Sequence, residues 1–210
     1  MKKLLSITLM FLICSCSDTN EVGNSPLETI AEPTSISKEA YIYTLGEVMI
    51  KWTAFKHSVK AQVGGVFKSS IVEGFTESTD LNTAVSGVTF KIPVKSTSTN
   101  DTVRDYKIVN SFFKTMANTD FITGKIISLN NNGSGLLSIR MNNSQVEKKF
   151  NWEMDQSTRE IYIKTSIDIL SWGAQSSLDA LNEVCLEQHT GPDGKNVLWP
   201  NVDITVIVDL

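Results

Sequence analysis

The 210-residue chain is poor in the side chains that staple a fold or arm an active site. It has three cysteines, of which Cys14 and Cys16 fall in a leader-like N-terminal stretch, so Cys185 is the one free thiol expected in a mature chain. That excludes an intramolecular disulfide and a cysteine metal cluster, and stability must come from an ordinary hydrophobic core. The two histidines, His57 and His189, are too far apart in sequence for a local metal motif, and neither His-Glu-x-x-His nor Gly-x-Ser-x-Gly occurs. Gly191 to Lys195 lacks the length and the hydroxyl residue of a phosphate loop and follows a helical pattern, so it reads as a turn. Asp105 with Asp120, or Asp168 near Trp172, could be offered as paired acids, but nothing in the sequence brings either pair together. The expectation is a protein that is not an enzyme and needs no cofactor.

Long apolar runs are also scarce. Lys2 and Lys3 precede an apolar stretch from Leu4 to Ile13, which as a helix would span only ~15 Å, about half a bilayer core. It reads as the core of a signal peptide over residues 1–15. Ile13-Cys14-Ser15-Cys16 matches a bacterial lipobox, which makes Cys16 the expected lipidation site; two or more acyl chains there would anchor the chain stably, where one alone binds marginally. Residues 16–39, with Pro26, Pro33 and many Ser, Thr and Glu, read as a disordered tether with a reach of about 25 Å. The expected location is the bacterial envelope, lipid-anchored at the outer membrane, with the face left open.

Basic clusters are missing too. Formal net charge is −4, and loss of Lys2 and Lys3 with the leader takes it to about −6, so nucleic acid is an unsuitable partner.

What the remainder, residues 40–210, does have is period-two alternation, the pattern of a strand with one wet and one dry face. Eight segments show it: Val48 to Phe55, Val63 to Gly74, Val85 to Val94, Phe121 to Leu129, Leu137 to Met141, Val146 to Met154, Ile161 to Ile169, and Val202 to Val208. Asn130-Asn131-Asn132-Gly133 and Asn142-Asn143-Ser144 are hairpin signals, because Asn and Gly tolerate positive φ. Ser96 to Asn100 reads as a polar loop, and Asp101 as the cap of a short helix ending in Phe112-Phe113. A longer helix, capped by Ser176 or Ser177, carries Leu178, Leu181, Val184, Cys185 and Gln188 at helical spacing and stops at Gly191-Pro192; Cys185 on it reads as a buried packing residue. Eight such strands left open would expose two edges, so the predicted fold is all-β: an eight-stranded antiparallel β-barrel with one short helix after strand 3 and a longer one before the last strand. A two-sheet sandwich is the alternative.

The strand Val88 to Val94, Ser96 to Thr99, Arg104-Asp105 and Ser111-Phe112-Phe113 follow one another in order, alongside Ile50-Lys51-Trp52 with His57 downstream of it, Gly65-Val66-Phe67, and Gly135-Leu136-Leu137-Ser138-Ile139. In these motifs the chain resembles the YceI-like family of lipocalin-like, polyisoprenoid-binding proteins. Ser111 stands where that family usually has an acidic residue. Residues Ser176 to Val208 resemble a branch of anchored members with an inserted helix. The resemblance implies a barrel whose bore holds a long apolar chain, such as a polyisoprenoid, a quinone or a related lipid. A chain burying ~500 Å² would gain about 12 kcal/mol gross, much of it offset by ordering. The candidate lining is the inward phase of the strands: Trp52, Phe67, Phe90, Ile92, Ile139, Phe150, Trp152, Ile163, Ile167 and Val206. Arg104, Lys107 and Lys148 are the candidates for contact with a head group at an opening. The competing expectation is a barrel packed solid, acting as a structural module or binding another envelope protein through its outer face or inserted helix; Trp52 and Trp152 meeting across the bore would be its mark.

Overall fold

Alternation becomes ten hydrogen-bonded strand segments in residues 40–210, which the computed structural model describes. In chain order they are β1 (Val48–Lys56), β2 (Ala61–Phe67), β3 (Ile71–Glu73), β4 (Thr89–Pro93), β5 (Thr97–Ser98), β6 (Phe121–Asn130), β7 (Ser134–Met141), β8 (Ser144–Asp155), β9 (Glu160–Asp168) and β10 (Leu198–Asp209). The leader, Cys16 and the tether lie outside the described residues.

The pairings are all antiparallel and run β3-β4-β6-β7-β8-β9-β10-β1-β2-β5. The two ends of that order are halves of bent strands. β3 continues β2 and β5 continues β4, while β2 pairs with β5 and β3 with β4. At the bend the Lys68 N–H donates to Ser96 O at 2.9 Å. The order therefore returns on itself, and eight walls make a lipocalin-like antiparallel barrel, the fold expected from the alternation. Closure leaves neither terminal segment as a free edge.

Turn chemistry sets the register. Asn142 and Asn143 both have positive φ, 48° and 56°, in the tight turn from β7 to β8, and Gly133 has φ 79° at the β6–β7 turn. A bulge at Ile127, between the pairs Ile126↔Leu137 and Ser128↔Leu136, shifts the phase of β6 so that both Ile126 and Leu129 face inward and Ile127 faces out.

Three local expectations need correction. The third strand begins at Thr89 instead of Val85, which ends a short helix, α1 (Leu81–Val85), started by the Asp80 side chain accepting from Thr83 N at 2.8 Å. The presumed loop Ser96 to Asn100 contains β5, whose Thr97 and Ser98 are buried because they close the barrel. The long helix, α3 (Gln175–Val184), follows Ala174 without a side-chain cap; Ser177 is fully buried within it, and Val184 is exposed. It breaks at Cys185, which is buried, and resumes as α4 (Leu186–His189).

The two ends of the barrel are covered differently. At one end α1, Tyr43, Phe75 and the C-terminal Leu210 pack on Ile161 and Trp152. At the other lie α2 (Thr102–Lys107), a π-helical turn Ile108–Phe112, and α3 with α4. Asp101 Oδ1 starts α2 by accepting from Val103 N and Arg104 N, both at 3.0 Å. Asp105 then accepts from Thr99 N and Oγ1, both at 2.7 Å, which ties the helix to the end of β5. Trp172, fully buried, donates from Nε1 to Ile139 O at 3.0 Å and pins this helical cap to the rim.

Candidate functional site: a two-chamber bore

The inward phase is the same in every wall, because cross-strand partners share a face. Trp52 pairs with Gly65, Phe90 with Gly124, and Gly135 with Phe150. In all three pairs an aromatic ring lies over a glycine of the neighbouring strand. A Cβ at Gly65, Gly124 or Gly135 would come within 2.3, 2.2 and 2.1 Å of the ring atoms of Trp52, Phe90 and Phe150. The missing side chains let three large rings settle against the wall where they would otherwise project into the bore. The barrel therefore encloses space.

That space has two chambers. A helix-side chamber of about 280 Å³ is bounded by β1, β5, β10 and the helices, and a strand-side chamber of about 200 Å³ lies between the walls. Phe67, Ile122, Met141, Ile167 and Ile204 line both and form a waist. Either volume exceeds the roughly 150 Å³ apolar cavity that is known to stay dry and admit benzene.

The chambers differ in polarity. The strand-side lining is apolar apart from Ser70 and Thr165. The helix-side chamber meets Lys56, Thr97, Asp101, Arg104, Lys107, Gln188 and His189. Most of these polar groups have partners within the chain. Lys56 Nζ donates to Gln188 O at 2.9 Å, Lys107 Nζ donates to Val184 O at 2.9 Å, and Arg104 pairs with Asp101 at 3.6 Å. His189 Nδ1 lies 2.8 Å from Asn182 Oδ1, to which it donates. Burial, with the positive charges of Lys56, His57 and Lys107, pulls His189 down to about 4, so the ring is neutral at neutral pH. Around the same opening Val103 (66% exposed), Tyr106 (69%), Val184 and Leu186 present apolar surface to solvent.

Of the sequence-derived lining residues, Trp52 faces the helix-side chamber and Phe67 both chambers. Phe90, Ile92, Ile139, Phe150, Ile163 and Val206 face the strand-side chamber, and Ile167 the waist. Trp152 lines neither. It packs in the plug at the far end, and its Nε1 donates to Asn130 O at 3.1 Å and Ser134 O at 3.2 Å, so it does not meet Trp52 across the bore. Arg104 and Lys107 stand at the helix-side opening. Lys148 does not: it lies in a side cleft where β8 and β9 part, since their pairing ends at Asn151↔Lys164 and Thr165 Oγ1 bridges to Lys149 O at 2.8 Å. Sequence reading missed Met141, Ile122 and Ile204 at the waist; their alternation was visible, but which inward residues meet depends on register. Among the described residues no three His, Cys, Asp or Glu side chains cluster as metal ligands would.

A closed antiparallel barrel with an apolar, helix-capped bore defines the fold class as lipocalin-like. Two solved structures share the fold. One is a polyisoprenoid binding domain from Saccharophagus degradans implicated in plant cell wall breakdown, with TM-score 0.55 and 12% identity, covering 80% of this chain and 96% of that one. The other is BcnA from Burkholderia cenocepacia, with TM-score 0.51 and 10% identity, covering 77% and 94%. At such identities the likeness is one of fold. No protein-family model and no curated protein matches the chain.

Proposed function

We propose that this protein binds and carries a long apolar chain, of the polyisoprenoid, quinone or related lipid class, within its bore. The observation that carries the reading is the pair of chambers sharing one waist, walled by apolar side chains and kept open by three ring-on-glycine pairs. The structural neighbour named for polyisoprenoid binding supports it through the shared fold. The tail would occupy the strand-side chamber, whose lining is apolar but for Ser70 and Thr165. The polar end would lie on the helix side, with Arg104 and Lys107 at the opening as the basic residues on hand, whereas the side cleft of Lys148 adjoins the strand-side chamber. Lining contacts would come from Trp52, Phe67, Phe90, Ile92, Ile139, Phe150, Ile163, Ile167 and Val206.

Lipidation at Cys16 would hold the barrel at the envelope membrane, and the exposed Val103, Tyr106, Val184 and Leu186 around the opening suit a mouth that meets a lipid surface. The test is organic extraction of the purified full-length protein followed by mass spectrometry. A stoichiometric long-chain lipid or quinone is expected; an empty protein that also takes up no isoprenoid would overturn the reading. For the anchor, Cys16→Ser should release the protein from the membrane fraction, and retention of the variant would contradict acylation at that residue.

A further inference from the structure

Two donors in the helix-side chamber have no partner among the described residues. Trp52 is 9% exposed and Thr97 6%, and neither the Trp52 Nε1 nor the Thr97 Oγ1 makes a hydrogen bond. Both residues line the chamber. An unmet buried polar group is costly, and two in one apolar site ask for an explanation.

They are also neighbours on one face. Trp52 pairs with Gly65 across β1 and β2, and Phe67, two residues along β2, pairs with Thr97 of β5. Gly65 puts no side chain between the indole and β5. Trp52 Cζ2 and Cε2, the latter bonded to the ring nitrogen, lie 2.3 and 2.6 Å from where a Gly65 Cβ would stand, and Ser98 O lies 2.9 Å from that same point. The nitrogen-bearing edge of the ring is thus the one over Gly65, toward β5.

An indole N–H can only donate, and a threonine hydroxyl donates or accepts, so the group that suits both is an acceptor. A neutral acceptor fits better than an anion. The cations that line this chamber are already engaged, Lys56 and Lys107 with helix-end carbonyls and Arg104 with Asp101, and an unpaired charge buried beside Trp52 would cost far more than a carbonyl. Resting on the reading of the bore as a chain-binding site, we infer that Trp52 and Thr97 form a subsite for a neutral carbonyl oxygen, as in an ester, ketone or amide, carried on the bound apolar chain.

The test is displacement of a solvatochromic dye from the full-length protein by a long-chain methyl ester and by the alkane of matched length. The wild type should prefer the ester by about tenfold, the scale of one to two net hydrogen bonds. Thr97→Val, which keeps the shape and removes the hydroxyl, should lower that preference several-fold. Trp52→Phe combined with Thr97→Val should erase it, the ester and the alkane then displacing the dye equally well. If Trp52→Phe fails to fold, Thr97→Val alone decides. Equal affinity of ester and alkane in the wild type, as when a water fills the subsite, would overturn the proposal, and so would an undiminished preference in Thr97→Val. Binding of neither chain would instead overturn the reading of the bore itself.

Discussion

The two chambers share a waist and almost nothing else. On the strand side the wall is apolar but for Ser70 and Thr165, and most of the lining comes from residues whose partners are fixed by register. On the helix side the lining mixes apolar residues with lysines, an arginine, an aspartate and a histidine, and a π-helical turn and three helices complete what β1, β5 and β10 begin. The strand side can distinguish chains by length and girth only. The helix side can distinguish them by chemistry, because a polar atom there meets groups able to bond it.

The sharpest way to break this contrast is to cut into each wall in turn. Phe150, 2% exposed on the strand side, should cost about 3–5 kcal/mol as Phe150→Ala, whereas Phe112→Ala, half-buried on the helix side, should cost less than half of that. Urea midpoints measure both; equal losses would mean that the two walls contribute alike. Next in size is a pH effect confined to the helix side. His189 is held near 4 against an ordinary 6.5, so between those values the unfolded chain takes up a proton that the fold refuses. Stability is therefore full above about pH 6.5 and falls by roughly 2 kcal/mol as pH drops toward 4. His189→Gln should flatten that part of the profile, and a wild-type curve already flat across it would contradict the neutral ring.

Smaller effects test the waist and the mouth. Ile204→Phe narrows the passage between chambers and should weaken long-chain binding at least about tenfold, near 1.4 kcal/mol, while a short chain that fits one chamber keeps its affinity. Equal losses for both lengths would argue that the chambers are filled independently. Arg104→Ala removes an exposed pair with Asp101 and should change stability by less than about 0.5 kcal/mol, so a change in ligand affinity would report on the opening alone.

Much of the barrel was legible because alternation is a local signal: Ile161, Ile163 and Ile167 declare their face without reference to any neighbour. The Asn142-Asn143 turn was legible for the same reason. β5 was not, since two polar residues make a strand only when a bent neighbour closes on them, and Thr97 and Ser98 look like loop in isolation. The ring-on-glycine pairs were likewise invisible: Gly65 and Trp52 stand in separate motifs, and only the register sets one over the other. Lys148 shows the opposite failure. It does break an apolar face, but the break marks a parting of β8 and β9 in the wall and not an end of the barrel.

The most direct measurement is a search for nuclear Overhauser contacts between a bound polyisoprenoid chain and the isoleucine methyl groups of the full-length protein. Contacts from the chain to Ile139, Ile163 and Ile167, with none to the outward Ile127, are predicted. Contacts confined to Ile127 and other outer-face residues, or none to any methyl at saturating chain, would contradict a ligand held within the bore.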